Sequence, residues 1–227
     1  MTIVALTAVP PRFAALSARL GMLLAQDPDR VCLTLPHSYR RFPGWAGDLP
    51  ELPPGVELLR GADHGPATKF LAVFERYPDR DVLIADDDCS YAPGWLDAFR
   101  AARAAHTDAV VAASTYDSAR LGLPPGHPIV QGFAGVLLRA AALGPVRTPD
   151  DAAIWVDDIW LSAQIARARR PVVACPGAFA GVTAHAAPAA LQDAIIDGMN
   201  RAQCNRSVAA SLQARLGIWR DNPAAPV

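Results

Sequence analysis

Three consecutive carboxylates, Asp86-Asp87-Asp88, follow directly on the apolar run Val82-Leu83-Ile84-Ala85. A short apolar run of this kind reads as a buried strand. Acids at the exit of such a strand have one common use, which is to hold a divalent cation at the edge of a sheet. Side chains alternate faces in an extended chain, so Asp86 and Asp88 are expected on one side and Asp87 on the other. Two carboxylates on one side repel, and a hard cation that prefers oxygen ligands relieves the repulsion. A second acidic pair, Asp157-Asp158, opens the apolar-striped segment Ile159 to Arg169. Acids at a helix start suit capping and the positive end of the helix dipole. One acid is enough for that. The same dipole favours the ionised form and would make Asp158 a weak base.

The elements that must position these acids alternate. Ile3 to Ala8, Val31 to Leu35, Val56 to Leu59, Val82 to Ala85 and Ala109 to Ala113 read as strands. Between them, Arg12 to Ala25 carries Phe13, Leu16, Leu20 and Leu23 on one stripe, and Pro66 and Pro93 suit helix starts. Residues 36–55 are rich in Pro and Gly and read as a long loop. Beyond Ala113 the pattern is less regular. Leu121 to Pro128 is a loop, and Val130 to Leu138 is a strand interrupted by Gly132 and Gly135. Ile159 to Arg169 is a helix ended by cations and Pro171, Pro171 to Ala174 is a strand, and Leu191 to Leu216 is a long or broken helix. Repeated β-α units imply an α/β fold with a mainly parallel central sheet and helices on both faces. Ligands of such sheets sit outside the carboxyl ends of the strands, where Asp86 to Asp88 lie. One domain over residues 1–227 is expected: a nucleotide-binding half (1–113), an acceptor half (114–190) and a C-terminal helical segment (191–227).

At 227 residues, 52% hydrophobic and 19% charged, the chain is globular and not disordered. A net charge of −1 leaves no electrostatic footprint for nucleic acid. Cys32, Cys89, Cys175 and Cys204 are scattered with no CxxC pair, which argues against a zinc or redox motif and suits free thiols in a reducing cytoplasm. Met1 to Leu6 lacks a basic leader region, and no apolar run is long enough to span a bilayer.

The order of these features resembles the GT-A glycosyltransferases, particularly bacterial family 2-like members, over roughly residues 1–185. Asp86-Asp87-Asp88 is similar to the Asp-X-Asp motif that closes a central strand in that family. Thr7-Ala8-Val9-Pro10-Pro11-Arg12 resembles its first nucleotide-contacting loop. Gly132-Phe133-Ala134-Gly135 resembles the segment lining the donor sugar. Asp157-Asp158-Ile159-Trp160-Leu161 resembles its acid-Asp-X-X-Leu motif, with Asp157 in place of the usual glutamate. The resemblance implies a nucleotide diphosphate sugar as donor and a glycan or small-molecule hydroxyl as acceptor. It implies Mn²⁺ or Mg²⁺ held by Asp88, with His185 as a second metal ligand, and Asp158 as the base of an inverting transfer. Thr7, Arg12, Asp86, Asp87, Gly132 and Gly135 would contact the donor. Lys69, after Gly65-Pro66-Ala67-Thr68 at a helix start, could reach phosphate or ribose oxygens, and Asp63 in the same loop could accept a hydrogen bond from the nucleotide. Trp95, Trp155 and Trp160 read as core, and Arg40 and Arg41 as solvated loop residues able to close over a diphosphate.

Two other readings stay open at this point. Asp86-Asp87-Asp88-Cys89-Ser90 fits a loose haloacid dehalogenase-type motif, with Asp86 as nucleophile and Asp88 as general acid. Three strands precede it, whereas that motif normally ends the first. The chain could also be a non-catalytic nucleotide-sugar-fold binding module. A nucleotidyltransferase shares the architecture, but Pro10-Pro11-Arg12 does not supply its glycine-rich basic signature.

Overall fold

The computed structural model describes residues 1–196 and 198–220; Asp197 and residues 221–227 of the expected C-terminal segment lie outside the described residues. Eleven strands and six helices of α type alternate through them. The strands are β1 (Thr2–Leu6), β2 (Arg30–Pro36), β3 (Val56–Gly61), β4 (Asp81–Ile84), β5 (Cys89–Tyr91), β6 (Val110–Ala112), β7 (Thr115–Asp117), β8 (Pro128–Val130), β9 (Val136–Arg139), β10 (Val172–Ala174) and β11 (Val182–Ala184). The helices are α1 (Phe13–Leu24), α2 (Thr68–Arg76), α3 (Trp95–Ala105), α4 (Asp157–Arg167), α5 (Pro176–Phe179) and α6 (Arg201–Leu216).

Seven strands form one sheet in the order β10-β6-β9-β4-β1-β2-β3. All neighbours in it run parallel except β9, which is antiparallel to both β4 and β6. The sheet is buried on both faces, and the alternation along β1 shows how. Ile3 and Ala5 pack into the layer of α2, α4 and α6, with Phe70, Phe74, Trp160 and Leu212. Val4 and Leu6 pack into the layer of α1, α3 and α5, with Leu16, Leu20, Leu23, Trp95 and Phe99. Hydrophobic strands covered on both sides are what a mainly parallel sheet requires. The α/β architecture read from the sequence is the one observed.

Some boundaries differ from expectation for identifiable reasons. Pro10–Arg12 forms a 3-10 turn before α1, where proline is tolerated because the N–H it lacks would have no intrahelical partner. The strand expected from Val130 to Leu138 with interruptions at Gly132 and Gly135 is divided there into β8, a 3-10 turn over Gly132–Ala134, and β9. The helix expected from Leu191 breaks into a turn over Leu191–Asp193 and α6, which starts at a capping box of Asn200 and Gln203. The pairs β5–β11 and β7–β8 are three residues long and lie outside the main sheet. Among the described residues no helix is long and apolar enough to cross a membrane, and all four cysteines are free and buried.

Candidate functional site

The carboxyl ends of β1, β2 and β4 open onto a cavity of about 680 Å³. Thr7, Arg12, Asp63, Lys69, Asp86, Asp87, Asp88, Asp158 and His185 all line it. Two of the anticipated residues do not. Gly132 contributes through its backbone, and Gly135 is turned toward the opposite core layer. A Cβ on Gly135 would stand 2.6 Å from Phe99 Cζ, and its φ is +113°. Gly135 thus serves close packing of Trp95 and Phe99 beneath the chain, and the expected contact with a sugar finds no surface there.

Strict alternation across Asp86–Asp88 does not hold, because β4 ends at Ile84 and the chain turns at Asp87 and Asp88 into β5. The acids divide differently. Asp86 Oδ1 accepts from Lys69 Nζ at 2.6 Å. Asp87 Oδ1 and Asp88 Oδ2 share the Arg12 guanidinium, at 2.6 and 3.0 Å from Nη1. Burial raises the Asp87 carboxyl to about 6, with Arg12 pulling it down and Asp88 pushing it up. Asp87 Oδ2 is buried without a hydrogen-bond partner. Beside this turn the His185 N–H donates to the Asp88 carbonyl at 2.8 Å. The His185 Nε2 lies 2.6 Å from Ser90 Oγ.

The first turn of α4 forms the facing wall. Neither aspartate caps its own helix, so the capping role expected for one of them is not realised. Asp157, 5% exposed, pairs with Lys69 Nζ at 2.8 Å. Asp158 Oδ1 accepts from the Gly132 N–H at 2.8 Å. The expectation of a weak base also needs correction. Burial raises the Asp158 carboxyl to about 7, and the Asp157 charge adds to it. Lys69 and the Gly132 N–H pull it back. Desolvation is the largest of these influences, and a carboxyl near neutral pH is matched to proton abstraction.

The remaining anticipated residues hold the cavity's frame. Thr7 Oγ1 donates to the Thr34 carbonyl at 2.6 Å. Both oxygens of Asp63 accept backbone N–H groups, from Arg40 and Gly65. Trp95 and Trp160 are core, while Trp155 lines the cavity. Arg41 lies in the cavity wall, where its Nη2 donates to the Ala189 carbonyl at 2.9 Å. Arg12 Nε donates to Pro188 of the same segment.

Sequence reading missed the buried Tyr91. Its hydroxyl accepts from the Asp86 N–H at 2.8 Å and donates to the Phe133 carbonyl at 2.9 Å, tying the two turns of the site together. No local signal marks it. Asp157 was visible as an acid, but its pairing with Lys69 depends on a tertiary contact. Arg201, which donates to the Trp155 carbonyl, was hidden in a polar helix.

Among the described residues no three His, Cys, Asp or Glu side chains converge to hold a metal on protein ligands alone. The donor set suits a cation that draws on one or two carboxylates and on substrate phosphates, as Mg²⁺ commonly does. Asp88, partly exposed in the cavity wall, is the carboxylate that could offer an oxygen to such a cation.

No protein-family model matches the chain, and no curated protein matches it. Among solved structures the chain is similar to the mannosyltransferase PcManGT from Pyrobaculum calidifontis, in complex with GDP-Man and Mn²⁺, at 18% identity and a TM-score of 0.53. That match covers 78% of this chain and 55% of the mannosyltransferase, so the chain spans about half the length of that protein. A 2-C-methyl-D-erythritol 4-phosphate cytidylyltransferase from Thermus thermophilus matches at 13% identity over 93% of this chain and 98% of that one. Its TM-score of 0.43 is too low to add to the assignment. The likeness to the mannosyltransferase establishes a Rossmann-like GT-A fold and nothing finer.

Proposed function

We propose that this protein is a metal-dependent glycosyltransferase that moves a sugar from a nucleoside diphosphate donor to an acceptor hydroxyl with inversion. The observation that carries the reading is Asp158, whose carboxyl sits near neutrality in the wall of the cavity that holds the Asp86–Asp88 turn. In a single displacement Asp158 takes the acceptor's proton as that oxygen bonds to the anomeric carbon. The bond from that carbon to the diphosphate breaks on the opposite face. Asp88, with His185 beside it, would hold Mn²⁺ or Mg²⁺, and when bound the ion supplies charge neutralisation at the leaving diphosphate. Arg12 and Arg41 add fixed positive charge to the same cavity. Residues 1–113 form the nucleotide side in this reading and 114–190 the acceptor side. The four free, buried cysteines suit a cytoplasmic setting.

The test is a thermal-shift and calorimetric screen of nucleoside diphosphates and their sugars, with and without Mn²⁺. Metal-linked stabilisation by one diphosphate, about 2.7 kcal/mol at a hundredfold excess over Kd, is the expected result. Transfer from the matching sugar nucleotide should follow. Binding without any transfer would favour a non-catalytic module, and no binding at all would end the proposal.

A further inference from the structure

Lys69 is the buried cation of the site. It is 4% exposed, and its ammonium is committed to carboxylates from two separate elements, Asp86 after β4 and Asp157 at the start of α4. Burial alone would drive it toward the neutral amine. Asp157, Asp86 and Asp158 more than offset this and hold it well above the usual lysine range. A Cβ placed on Gly132 would lie 3.2 Å from Lys69 Nζ and 3.2 Å from Asp158 Oδ1. The ammonium and the Asp158 carboxylate therefore flank one α-carbon, and glycine at 132 leaves room for both.

We propose that Lys69 is a positioning residue for Asp158: its ammonium locks the first turn of α4 against the end of β4 and keeps the Asp158 carboxylate ionised and facing the cavity. The role rests on the reading of Asp158 as the base. The charged groups acting on Asp158 are Asp157, Lys69 and Asp86, and Lys69 is the cation among them. From β7 the Tyr116 hydroxyl faces the same carboxylate, and burial followed by Asp158 raises it to about 12, so it stays neutral. Asp157 has two opposed effects. It anchors Lys69, and it repels the charge on its neighbour.

The opposed effects give the experiment. The Asp158 carboxyl is followed by ¹³Cγ NMR of aspartate-labelled protein, assigned by its loss in Asp158→Asn, in the wild type and in Lys69→Met, Lys69→Arg and Asp157→Asn. Lys69→Met should raise the Asp158 midpoint by about one pH unit or more, a tenfold loss of ionised carboxylate at a given pH below it. Asp157→Asn should lower the midpoint, and Lys69→Arg should leave it close to wild type. A midpoint unmoved or lowered in Lys69→Met would overturn the proposal, whatever Asp157→Asn does. If Lys69→Met does not fold, Lys69→Gln takes its place and must raise the midpoint in the same direction. The titration needs no donor or acceptor, so absence of transfer in the wild type sinks the glycosyltransferase reading separately. Where transfer is found, the acid limb of kcat/KM should move with the NMR midpoint in each variant.

Discussion

The cavity holds two cation–carboxylate clusters built on opposite principles. In the inner one Lys69, 4% exposed, meets Asp86 and Asp157 and lies beside Asp158. In the outer one Arg12, its side chain 14% exposed, spans Asp87 and Asp88; each cluster joins one buried acid (Asp157, Asp87) to one partly exposed acid (Asp86, Asp88), so the cation is what differs. The more deeply buried Lys69 is held by carboxylates from two elements and reaches the cavity with little of its surface, so the inner cluster gives up its partners less readily. The outer one can exchange its partners for ligand or water. The contrast separates a site that keeps its base poised from one that can open to an incoming anion and cation.

Four measurements would break or sharpen the contrast. Asp158→Asn should cut turnover by about 10²–10⁴-fold while nucleoside diphosphate binding persists; turnover within a few-fold of wild type would remove Asp158 from the mechanism. Lys69→Met should lower unfolding free energy by about 3–5 kcal/mol in denaturant melts, because it leaves buried carboxylates uncompensated. Arg12→Met should cost less, since Asp87, raised to about 6, can take up a proton in place of its lost partner near neutral pH; equal losses would mean that the clusters do not differ. The raised Asp158 carboxyl also makes a pH-dependent contribution. A carboxyl whose folded value, about 7, lies above its unfolded one stabilises the fold at low pH. That contribution fades as pH climbs from about 4 through about 7. Asp158→Asn should thus be the more stable protein at pH 8, by an amount on the order of a few kcal/mol, with the difference vanishing near pH 4. Identical pH profiles of Tm would contradict the buried-base reading. The smallest effect belongs to Asp88→Asn, which should weaken Mn²⁺-linked nucleotide binding by about 10–100-fold and leave metal-free binding unchanged. Calorimetry with and without chelator reads it directly.

Much of this arrangement was legible in the residues. The apolar run ahead of Asp86, the stripe of Leu16, Leu20 and Leu23, and the acids opening α4 announced the sheet, its covering helices and two walls of the cavity. What escaped reading was non-local. Lys69 at the start of α2 reads as a reach toward phosphate or ribose oxygens, and its pairing with Asp157, far along the chain, leaves no local trace. The alternation expected for Asp86–Asp88 failed because a turn, not an extended strand, carries the last two acids. The three-residue pairings of β5 with β11 and β7 with β8 are too short to leave a periodic signal. Gly135 looked like a ligand-lining glycine. The reason for its lack of a side chain is the Phe99 ring below it.

The reversed direction of β9 has its own consequence. Val136 pairs with Ile84, so this strand begins at the end where its parallel neighbours finish. The sheet's upper edge therefore receives a segment on its way in as well as segments on their way out. That incoming stretch offers Asp158 a peptide N–H as its anchor. No exchange of side chains short of proline deletes such a donor, so at position 132 the contact is vulnerable through the space a Cβ would take beside Asp158 and not through loss of the N–H itself.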